Sequence, residues 1–373
     1  MMDKKRQITL LVTGSIAAKK APEFVRALRL NNYDVKVLFT HAVEKYKLAS
    51  CDDVKAASGY RVLTDADNLI DGPNLAAKKK ALYSPDMILV APASADIISQ
   101  LANKSSTLAR AILTAHGDKS LLVIAPAMNN WMWGHPAVRQ DCDILKKSGV
   151  VFLGPVKGRM ACGDEGFGRL IDPEELAAGV QAALDGKHLH FTYSYYETAR
   201  EEGKNPAPLR PREENAPVLV ALGGGNIKWP DVKALVGEIN RAGLAANYVL
   251  DPTWKNHDED LKNLTGRIVV SDHYQIDPKG MEHIRLPEEA ACVFIPSLDD
   301  ALATAMTQGR ADTLFLTMCL ATKVPVVTTE ACLKNISPAL ASILRQNGLR
   351  TVESVGELPH FCAPSRSGAS LQF

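Results

Sequence analysis

A turn of small residues follows the first apolar run of the chain and could bind a phosphate group. The run from Ile8 to Thr13 has the length of a strand, and Gly14-Ser15-Ile16-Ala17-Ala18 leads directly into a helical pattern. Backbone N–H groups at the start of a helix can bind a phosphate, and Ser15 adds a hydroxyl donor. The turn lacks the GxGxxG spacing of dinucleotide-binding proteins, so a monophosphate fits better than a pyrophosphate. By itself, the pattern would equally suit a strand-to-helix turn without a ligand.

Three later segments also combine small and polar residues after apolar runs. They read APASAD from Ala91, APAMNNWMW from Ala125 and RMACGDEGFGR from Arg159. Ligands of open parallel sheets bind beyond the carboxyl ends of the strands, which is where these segments should lie. The four segments together therefore predict one binding site at this edge of a sheet.

The elements that position these segments alternate between strand and helix patterns. Short unbroken apolar runs occur at Val35 to Phe39, Met87 to Ala91 and Leu121 to Ala125, with helical patterns between them. Strands that are apolar on both faces are typical of a parallel sheet covered by helices on both sides. The sequence therefore predicts a doubly wound α/β domain.

The second half of the chain repeats this organisation after a break. Residues 188–216 carry prolines and dense charge, which are typical of a linker, and a new strand pattern begins at Val218. The spacing from Gly14 to Pro92 is 78 positions, and that from Gly223 to Pro296 is 73. We therefore expect two tandem Rossmann- or flavodoxin-like domains with parallel sheets, residues 1–187 and 217–373, the second a diverged copy of the first. Any two α/β domains could show similar spacings, and that alternative stays open.

The overall composition excludes several classes of function. The formal net charge is +1, with 43 basic and 42 acidic residues, which gives no reason to expect a nucleic acid or an anionic membrane as partner. No run of apolar residues approaches the length of a membrane span. The cysteines lack the paired spacing of a disulfide framework or a zinc site, so we expect a reduced, cytoplasmic protein without a bound metal. They are Cys51, Cys142, Cys162, Cys292, Cys319, Cys332 and Cys362.

The four segments, in this order, resemble the motifs of the homo-oligomeric flavin-containing cysteine decarboxylases. The resemblance spans about residues 7 to 180. It implies that flavin mononucleotide (FMN) is the cofactor and that the first turn, the Pro-Ala-Ser segment and part of the Pro-Ala-Met-Asn segment contact it. The residues implied in cofactor binding are Gly14, Ser15, Ile16, Thr40, Ser94, Ala95, Ala127 and Met128.

The same resemblance implies the substrate and the roles of individual residues. It is closest to the members that convert phosphopantothenoylcysteine to phosphopantetheine in coenzyme A biosynthesis. Asn129 would hold the carboxylate and amide of the substrate, and Cys162 would protonate the enethiolate formed after decarboxylation. Ala161, Gly163 and Asp164 would belong to a segment that clamps the substrate. Without the resemblance, Asn129 would suit a helix cap and Cys162 a buried thiol.

One essential residue of the family is missing from the first half and is matched in the second. The family has a histidine before the strand that ends in Pro-Ala-Ser, but this chain has lysines within residues 77–82. His283, in His-Ile-Arg-Leu, lies at the corresponding offset in the second half, and Gly309 to Leu314 resembles a flavin-side loop of the family. We therefore expect a composite site in which His283 is a base or orients the substrate, with a pKa near neutrality. A helix-terminal or core histidine is the alternative.

The resemblance also predicts the assembly of the protein. Members of the family form flavin sites between the subunits of a trimer, so a homo-oligomer with threefold symmetry is expected. Its partner would be a small molecule that bears a cysteine carboxylate. Three alternatives stay open: a non-catalytic or regulatory FMN-binding paralogue, a decarboxylase of another thiol acid, and a fusion to phosphopantothenoylcysteine synthetase. The last is disfavoured because Asn226-Ile227-Lys228 stands where a synthetase would have an Asn-Arg-Ser-Ser-Gly-Lys loop.

Overall fold

A computed structural model describes most of the chain as two compact units. The described residues are 5–64, 85–106, 108–109, 112–113, 120–186, 216–223, 227–273, 275 and 280–359. The first unit comprises residues 1–134 and 138–204, and the second comprises 135–137 and 205–373. The lysines near position 79, Cys362 and nearly all of the predicted linker lie outside the described residues.

The first unit is built on a parallel sheet whose strands are apolar runs buried on both faces. Within its described residues the sheet has five strands in the order β2-β1-β3-β4-β5. The strands are β1 (Gln7–Val12), β2 (Asp34–Phe39), β3 (Met87–Ala93), β4 (Leu121–Pro126) and β5 (Val151–Phe152). The predicted parallel sheet is confirmed, and each predicted strand is present to within a few residues.

Helices cover this sheet, and a hairpin follows it. The helices are α1 (Ala21–Leu30), α2 (His41–Lys45), α3 (Cys51–Ser58), α4 (Ala95–Asn103), α5 (Asn130–Gly134), α6 (Pro136–Lys147) and α7 (Pro173–Leu184). A 3-10 helix, Ile16–Lys20, precedes α1. The antiparallel hairpin consists of β6 (Val156–Arg159) and β7 (Glu165–Arg169), so the segment from Arg159 to Arg169 is mostly the turn and second strand of this hairpin.

The second unit is also α/β with a parallel sheet. Its described strands have the order β10-β9-β8-β11-β12-β13, the order of a Rossmann fold. The strands are β8 (Val218–Leu222), β9 (Ala246–Leu250), β10 (Val269–Val270), β11 (Val293–Ile295), β12 (Val326–Thr329) and β13 (Arg350–Val352). The helices are α8 (Trp229–Arg241), α9 (Asp258–Thr265), α10 (Glu282–Glu288), α11 (Asp300–Thr307), α12 (Leu314–Ala321), α13 (Glu330–Leu333) and α14 (Pro338–Gln346), with 3-10 helices at Pro252–His257 and Val355–Glu357.

The two sheets share a topology when an isolated bridge is included. Leu38 in β2 forms a parallel bridge with Leu63 on the outer side of the first sheet. With Leu63 in the place of a third strand, the first sheet has the same order as the second. The α/β class with parallel sheets is therefore confirmed for both units.

Two general features of the described ranges bear on function. None of their helices combines the length and apolar character needed to cross a membrane. In the same ranges, no cluster of three or more His, Cys, Asp and Glu side chains could hold a metal ion.

A buried carboxyl on α6 makes the stability of the first unit depend on pH. The Asp141 Oδ1 accepts a hydrogen bond of 3.0 Å from Asn103 Nδ2, whereas Oδ2 is buried without a partner among the described residues. Burial raises the pKa of Asp141 to about 7, although the hydrogen bond from Asn103 opposes the shift. The folded state therefore holds a proton that the unfolded chain releases near pH 4, and stability falls as pH rises from about 4 to 7.

Replacing Asp141 with asparagine should remove this pH dependence. At pH 8 the variant should be more stable than the wild type by on the order of 2–4 kcal/mol, and at pH 4 the two should be alike. Urea titrations at both pH values measure the difference. A variant that is equally stable or less stable at pH 8 would contradict the burial of an ionisable carboxyl at this position.

Candidate functional site

The first predicted turn packs tightly against α2, the helix that follows the neighbouring strand. A Cβ added at Gly14 would lie 2.7 Å from the Cβ of Ala42, closer than real carbon atoms approach, so glycine is required there. Ser15 caps the 3-10 helix that begins at Ile16, and its hydroxyl oxygen accepts a hydrogen bond of 3.4 Å from the Ala17 N–H. Because that bond uses a lone pair, the hydroxyl proton can still be donated to a ligand.

Thr13 connects this turn to the segment that follows β3. Its buried hydroxyl donates a hydrogen bond of 2.7 Å to the Pro92 carbonyl and accepts one of 2.9 Å from the Ser94 N–H. Ser94 in turn caps α4, where its side chain accepts from the Ile97 N–H, and Ala95 begins the helix. Two of the predicted flavin-binding segments are therefore held together by one hydroxyl group.

Thr40 places an unsatisfied hydroxyl beside the same turn. Its backbone N–H donates to the Val12 carbonyl at 3.1 Å, which fixes it where β2 ends next to β1. Its Oγ1 is buried and has no hydrogen-bond partner within the described part of the chain. A buried hydroxyl without a partner is costly, and an acceptor from a ligand would satisfy it.

The segment after β4 is fixed between β3 and the hairpin. The Ala127 N–H donates to the Ala93 carbonyl at 2.9 Å, and the Met128 N–H donates to the Gly168 carbonyl at 3.0 Å. Gly168 has a φ of 146°, and a Cβ at this position would overlap the Met128 carbonyl oxygen. Glycine at this point of the motif therefore allows the hairpin to approach the loop after β4.

Asn129 is the buried polar group at the centre of the site. Its Oδ1 accepts a hydrogen bond of 2.7 Å from the Trp131 N–H, as expected of a helix cap. This bond fixes the orientation of the amide, so that Nδ2 faces the hairpin. There Nδ2 lies 3.4 Å from Cys162 Sγ and 3.2 Å from Asp164 Oδ2, and it donates to both.

Cys162 lies in the turn that joins β6 to β7. The turn is closed by bonds from the Met160 N–H to the Asp164 carbonyl, 2.9 Å, and from the Gly163 N–H to the Met160 carbonyl, 3.0 Å. Gly163 has a φ of 94°, which favours glycine, and Cys162 is half-buried while Ala161 is exposed. The thiol is therefore held at the site by a turn that remains open to solvent.

The base of the hairpin is tied to the 3-10 helix that follows the Gly14 turn. The Arg169 guanidinium contacts both oxygens of Asp172, at 2.9 and 3.0 Å, and Lys20 Nζ lies 3.4 Å from the same carboxylate. Burial alone would raise the pKa of Asp172, but hydrogen bonds and charges from Arg169 and Lys20 outweigh it and lower this pKa. Asp172 therefore stays ionised and joins Arg169, at the end of the hairpin, to the last residue of the 3-10 helix that follows the Gly14 turn.

His283 lies in the first turn of α10 in the second unit. Its Nδ1 is buried and has no hydrogen-bond partner among the described residues, and its ring meets the ring of His273 edge-on at 5.3 Å. Burial and the neighbouring His273 lower the pKa of His283 to about 3, against the opposing effects of Glu282 and of a backbone hydrogen bond with Gly280. The imidazole is therefore neutral at physiological pH, which differs from the pKa near neutrality expected from the sequence.

Polar side chains in the segment of the second unit that resembles a flavin-side loop have structural partners. Thr313 caps α12 by accepting from the Leu316 N–H, and Arg310 pairs with Asp312. Cys319 is buried in α12, and burial raises the pKa of its thiol to about 12, which makes it unreactive. The segment from Gly309 to Leu314 that resembles a flavin-side loop therefore leads into a buried core helix.

The structure thus brings together the predicted residues of the first unit at the carboxyl edge of one sheet. Thr13 and Asp172, which connect the motifs, escaped the sequence analysis because their roles depend on partners far away in sequence. The one available signal was their position, since each lies directly beside a motif residue or a helix start.

Comparison with solved structures finds similar proteins over about half of the chain. A PPC decarboxylase mutant complexed with pantothenoylaminoethenethiol is 23% identical, with a TM-score of 0.42, over 49% of this chain and 100% of its own. HAL3 from Cryptococcus neoformans is 25% identical, with a TM-score of 0.41, over 49% of this chain and 98% of its own.

Curated relatives include the coenzyme A biosynthesis bifunctional proteins CoaBC. The Bacillus subtilis protein is 34% identical over 201 residues, which are 51% of this chain and 48% of the relative. The Escherichia coli K12 protein is 34% identical over 193 residues, 50% of this chain and 46% of the relative. The chain therefore spans about half the length of these relatives. Residues 1–185 match the Flavoprotein family. This match and the CoaBC relatives confirm the resemblance of this part of the chain to the flavin-containing cysteine decarboxylases.

Proposed function

We propose that the first unit binds FMN and uses it to decarboxylate a cysteine conjugate, with phosphopantothenoylcysteine converted to phosphopantetheine. The observation that carries the proposal is Asn129, whose amide is held between Cys162 and Asp164 at the edge where four motifs meet. An amide donor that can hold a carboxylate beside a thiol suits removal of that carboxylate followed by protonation. The CoaBC relatives, which are named for coenzyme A biosynthesis, support this substrate.

The residues around Gly14 fit the phosphate and ribityl chain of FMN. Thr40 offers a buried hydroxyl that lacks a partner in the described ranges, Ser15 has a proton to donate, and Gly14 leaves no room for a side chain. These three groups surround the start of the 3-10 helix that leads into α1, where the helix dipole favours an anion. Ser94, Ala95, Ala127 and Met128 are proposed to line the rest of the flavin site.

Replacing Thr40 with valine should weaken FMN binding without weakening the fold. Valine has nearly the same shape, and no hydrogen bond is lost because the Thr40 Oγ1 has no partner among the described residues. We expect at least a tenfold higher dissociation constant for FMN, because the variant loses about one hydrogen bond to a charged group. Gly14→Ala should reduce FMN binding further, because its Cβ would push the turn away from Ala42.

The matched control is Gly237→Ala, because an added Cβ there meets nothing within 4 Å. This variant should keep its flavin, and circular dichroism should show that all three variants are folded. Equilibrium dialysis of FMN against each apoprotein measures the constants. If Thr40→Val and Gly14→Ala both bind FMN as the wild type does, the phosphate does not lie at this turn.

Each side chain has a defined task in the proposed reaction. Bound FMN supplies reversible hydride transfer, which lets the cysteine side chain be oxidised for decarboxylation and reduced afterwards. Asn129 would donate from Nδ2 to the substrate carboxylate and so place the bond to be broken beside the turn of the hairpin. Cys162 Sγ, 3.4 Å from the same nitrogen, would then give its proton to the enethiolate product. Gly163 would let the hairpin turn hold the Cys162 thiol beside the substrate.

The remaining features predicted from the sequence are proposals of the same account. We propose that the second unit is a diverged copy of the first, which the shared strand order supports once Leu63 is counted. A part for His283 in the reaction stays a prediction. With its pKa lowered to about 3, the imidazole would be a weak base, so it would suit hydrogen bonding to the substrate better than proton abstraction. Threefold self-association and a cytoplasmic location also remain predictions.

A further inference from the structure

We propose that the Asp164 carboxylate is an internal substitute for the substrate carboxylate, which must displace it from Asn129. The inference rests on the proposed function and assigns Asp164 a role opposite to a substrate contact. The carrying observation is the 3.2 Å hydrogen bond from Asn129 Nδ2 to Asp164 Oδ2.

The amide of Asn129 has no spare proton with which to bind a further carboxylate. One Nδ2 proton is directed to Cys162 Sγ and the other to Asp164 Oδ2, while Oδ1 accepts from the Trp131 N–H. An amide nitrogen carries two protons, so this set of contacts uses both. A substrate carboxylate held by Asn129 must therefore take the place of Asp164, of Cys162, or of both.

The Asp164 side chain is a carboxylate, and so is the substrate group that is proposed to bind Asn129. A carboxylate oxygen on Nδ2 is replaced by another carboxylate oxygen, so the hydrogen bond is exchanged without loss. If Asp164 stayed in place, two carboxylates would lie within a few ångströms of one another, and their repulsion would oppose binding. Departure of Asp164 would leave Cys162 beside the amide, where the proposed proton donor is needed.

The turn that carries Asp164 is closed by backbone hydrogen bonds. The turn is closed by backbone bonds from the Met160 N–H to the Asp164 carbonyl and from the Gly163 N–H to the Met160 carbonyl. Neither bond involves the Asp164 carboxylate, so Asp164→Ala should keep the turn and remove the competitor.

The test uses two substrate analogues that cannot be oxidised because they lack a thiol. The serine analogue of phosphopantothenoylcysteine keeps the carboxylate, and the ethanolamine analogue lacks it. Titration calorimetry on the full, flavin-loaded protein gives both dissociation constants. Asp164→Ala should bind the serine analogue about fivefold to tenfold more tightly than the wild type, because the analogue no longer has to break the hydrogen bond between Asn129 and Asp164. The dissociation constant of the ethanolamine analogue should change less than twofold. The dissociation constant of the serine analogue for Asp164→Asn should lie between those of Asp164→Ala and the wild type.

Glu165→Ala is the matched control, because it removes an exposed carboxylate from the next position of the hairpin. It should leave both constants unchanged, which separates displacement of Asp164 from a general gain in positive charge. The proposal is overturned if Asp164→Ala binds the serine analogue more weakly than the wild type does, or if it changes the affinity for both analogues alike. It is also overturned if Glu165→Ala gives the same gain in affinity for the serine analogue. A wild-type protein that binds neither analogue would overturn the proposed function as well.

Discussion

Replacing Cys162 with serine should stop the reaction after carbon dioxide has been lost. Substrate oxidation and decarboxylation do not need the thiol proton, whereas the last step does, and a hydroxyl is a far weaker acid than a thiol. Removal of a general acid typically costs between about 10² and 10⁴ in rate, so the final step should slow by at least about 100-fold. An oxidised, decarboxylated enethiol should accumulate, and mass spectrometry of a single turnover would detect it.

Cys51→Ser is the control for this experiment, because Cys51 is an exposed free thiol on α3. That variant should form product at the wild-type rate. If Cys162→Ser forms the reduced product as fast as the wild type, Cys162 is not the proton donor, and the Asn129–Cys162 contact has a structural role only.

Replacing Asn129 with aspartate should abolish decarboxylation while leaving the fold and the flavin in place. An aspartate can still accept from the Trp131 N–H and cap the helix, so the local structure should be kept. Its other oxygen would face Asp164 Oδ2, now 3.2 Å from the amide nitrogen, and would repel both that carboxylate and the substrate. We expect kcat/KM to fall at least about 100-fold, through loss of a charge-assisted hydrogen bond and added repulsion.

The same change of charge at an exposed site is the control. Asn263→Asp alters an exposed residue of α9 in the second unit and should leave kcat/KM unchanged. The visible spectrum of the bound flavin reports separately whether Asn129→Asp keeps its cofactor. A flavin-loaded Asn129→Asp protein with more than a tenth of wild-type kcat/KM would exclude Asn129 as the carboxylate-binding group.

The central strands could be predicted because they are buried on both faces and therefore read as unbroken apolar runs. β1, β3 and β4 are examples, and each ends at a motif because ligand sites lie at the carboxyl edge of parallel sheets. β9 was missed because Asn247 interrupts Ala246–Leu250 and hides its apolar pattern. The hairpin of β6 and β7 was missed because its strands are rich in glycine and charge and are partly exposed, so no alternating apolar face marks them.

The residues of the candidate site could be predicted from their motifs, but the hydrogen bonds that connect the motifs could not. The contact of Asn129 with Asp164 joins residues 35 positions apart, and that of Thr13 with Pro92 joins residues 79 apart. Such contacts depend on how the sheet brings loop ends together, which no local pattern records. The lowered pKa of His283 likewise results mainly from burial of its ring, and the burial of polar residues on a short helix leaves no periodic signal.

The most direct test of the account is a single-turnover measurement on the purified, flavin-loaded protein with phosphopantothenoylcysteine. The account predicts that one carbon dioxide is released for each phosphopantetheine formed, without any added oxidant or reductant, and that the flavin is oxidised again at the end. A protein that binds FMN but releases no carbon dioxide from this substrate would contradict the account and would favour a flavoprotein that has kept the site without turnover.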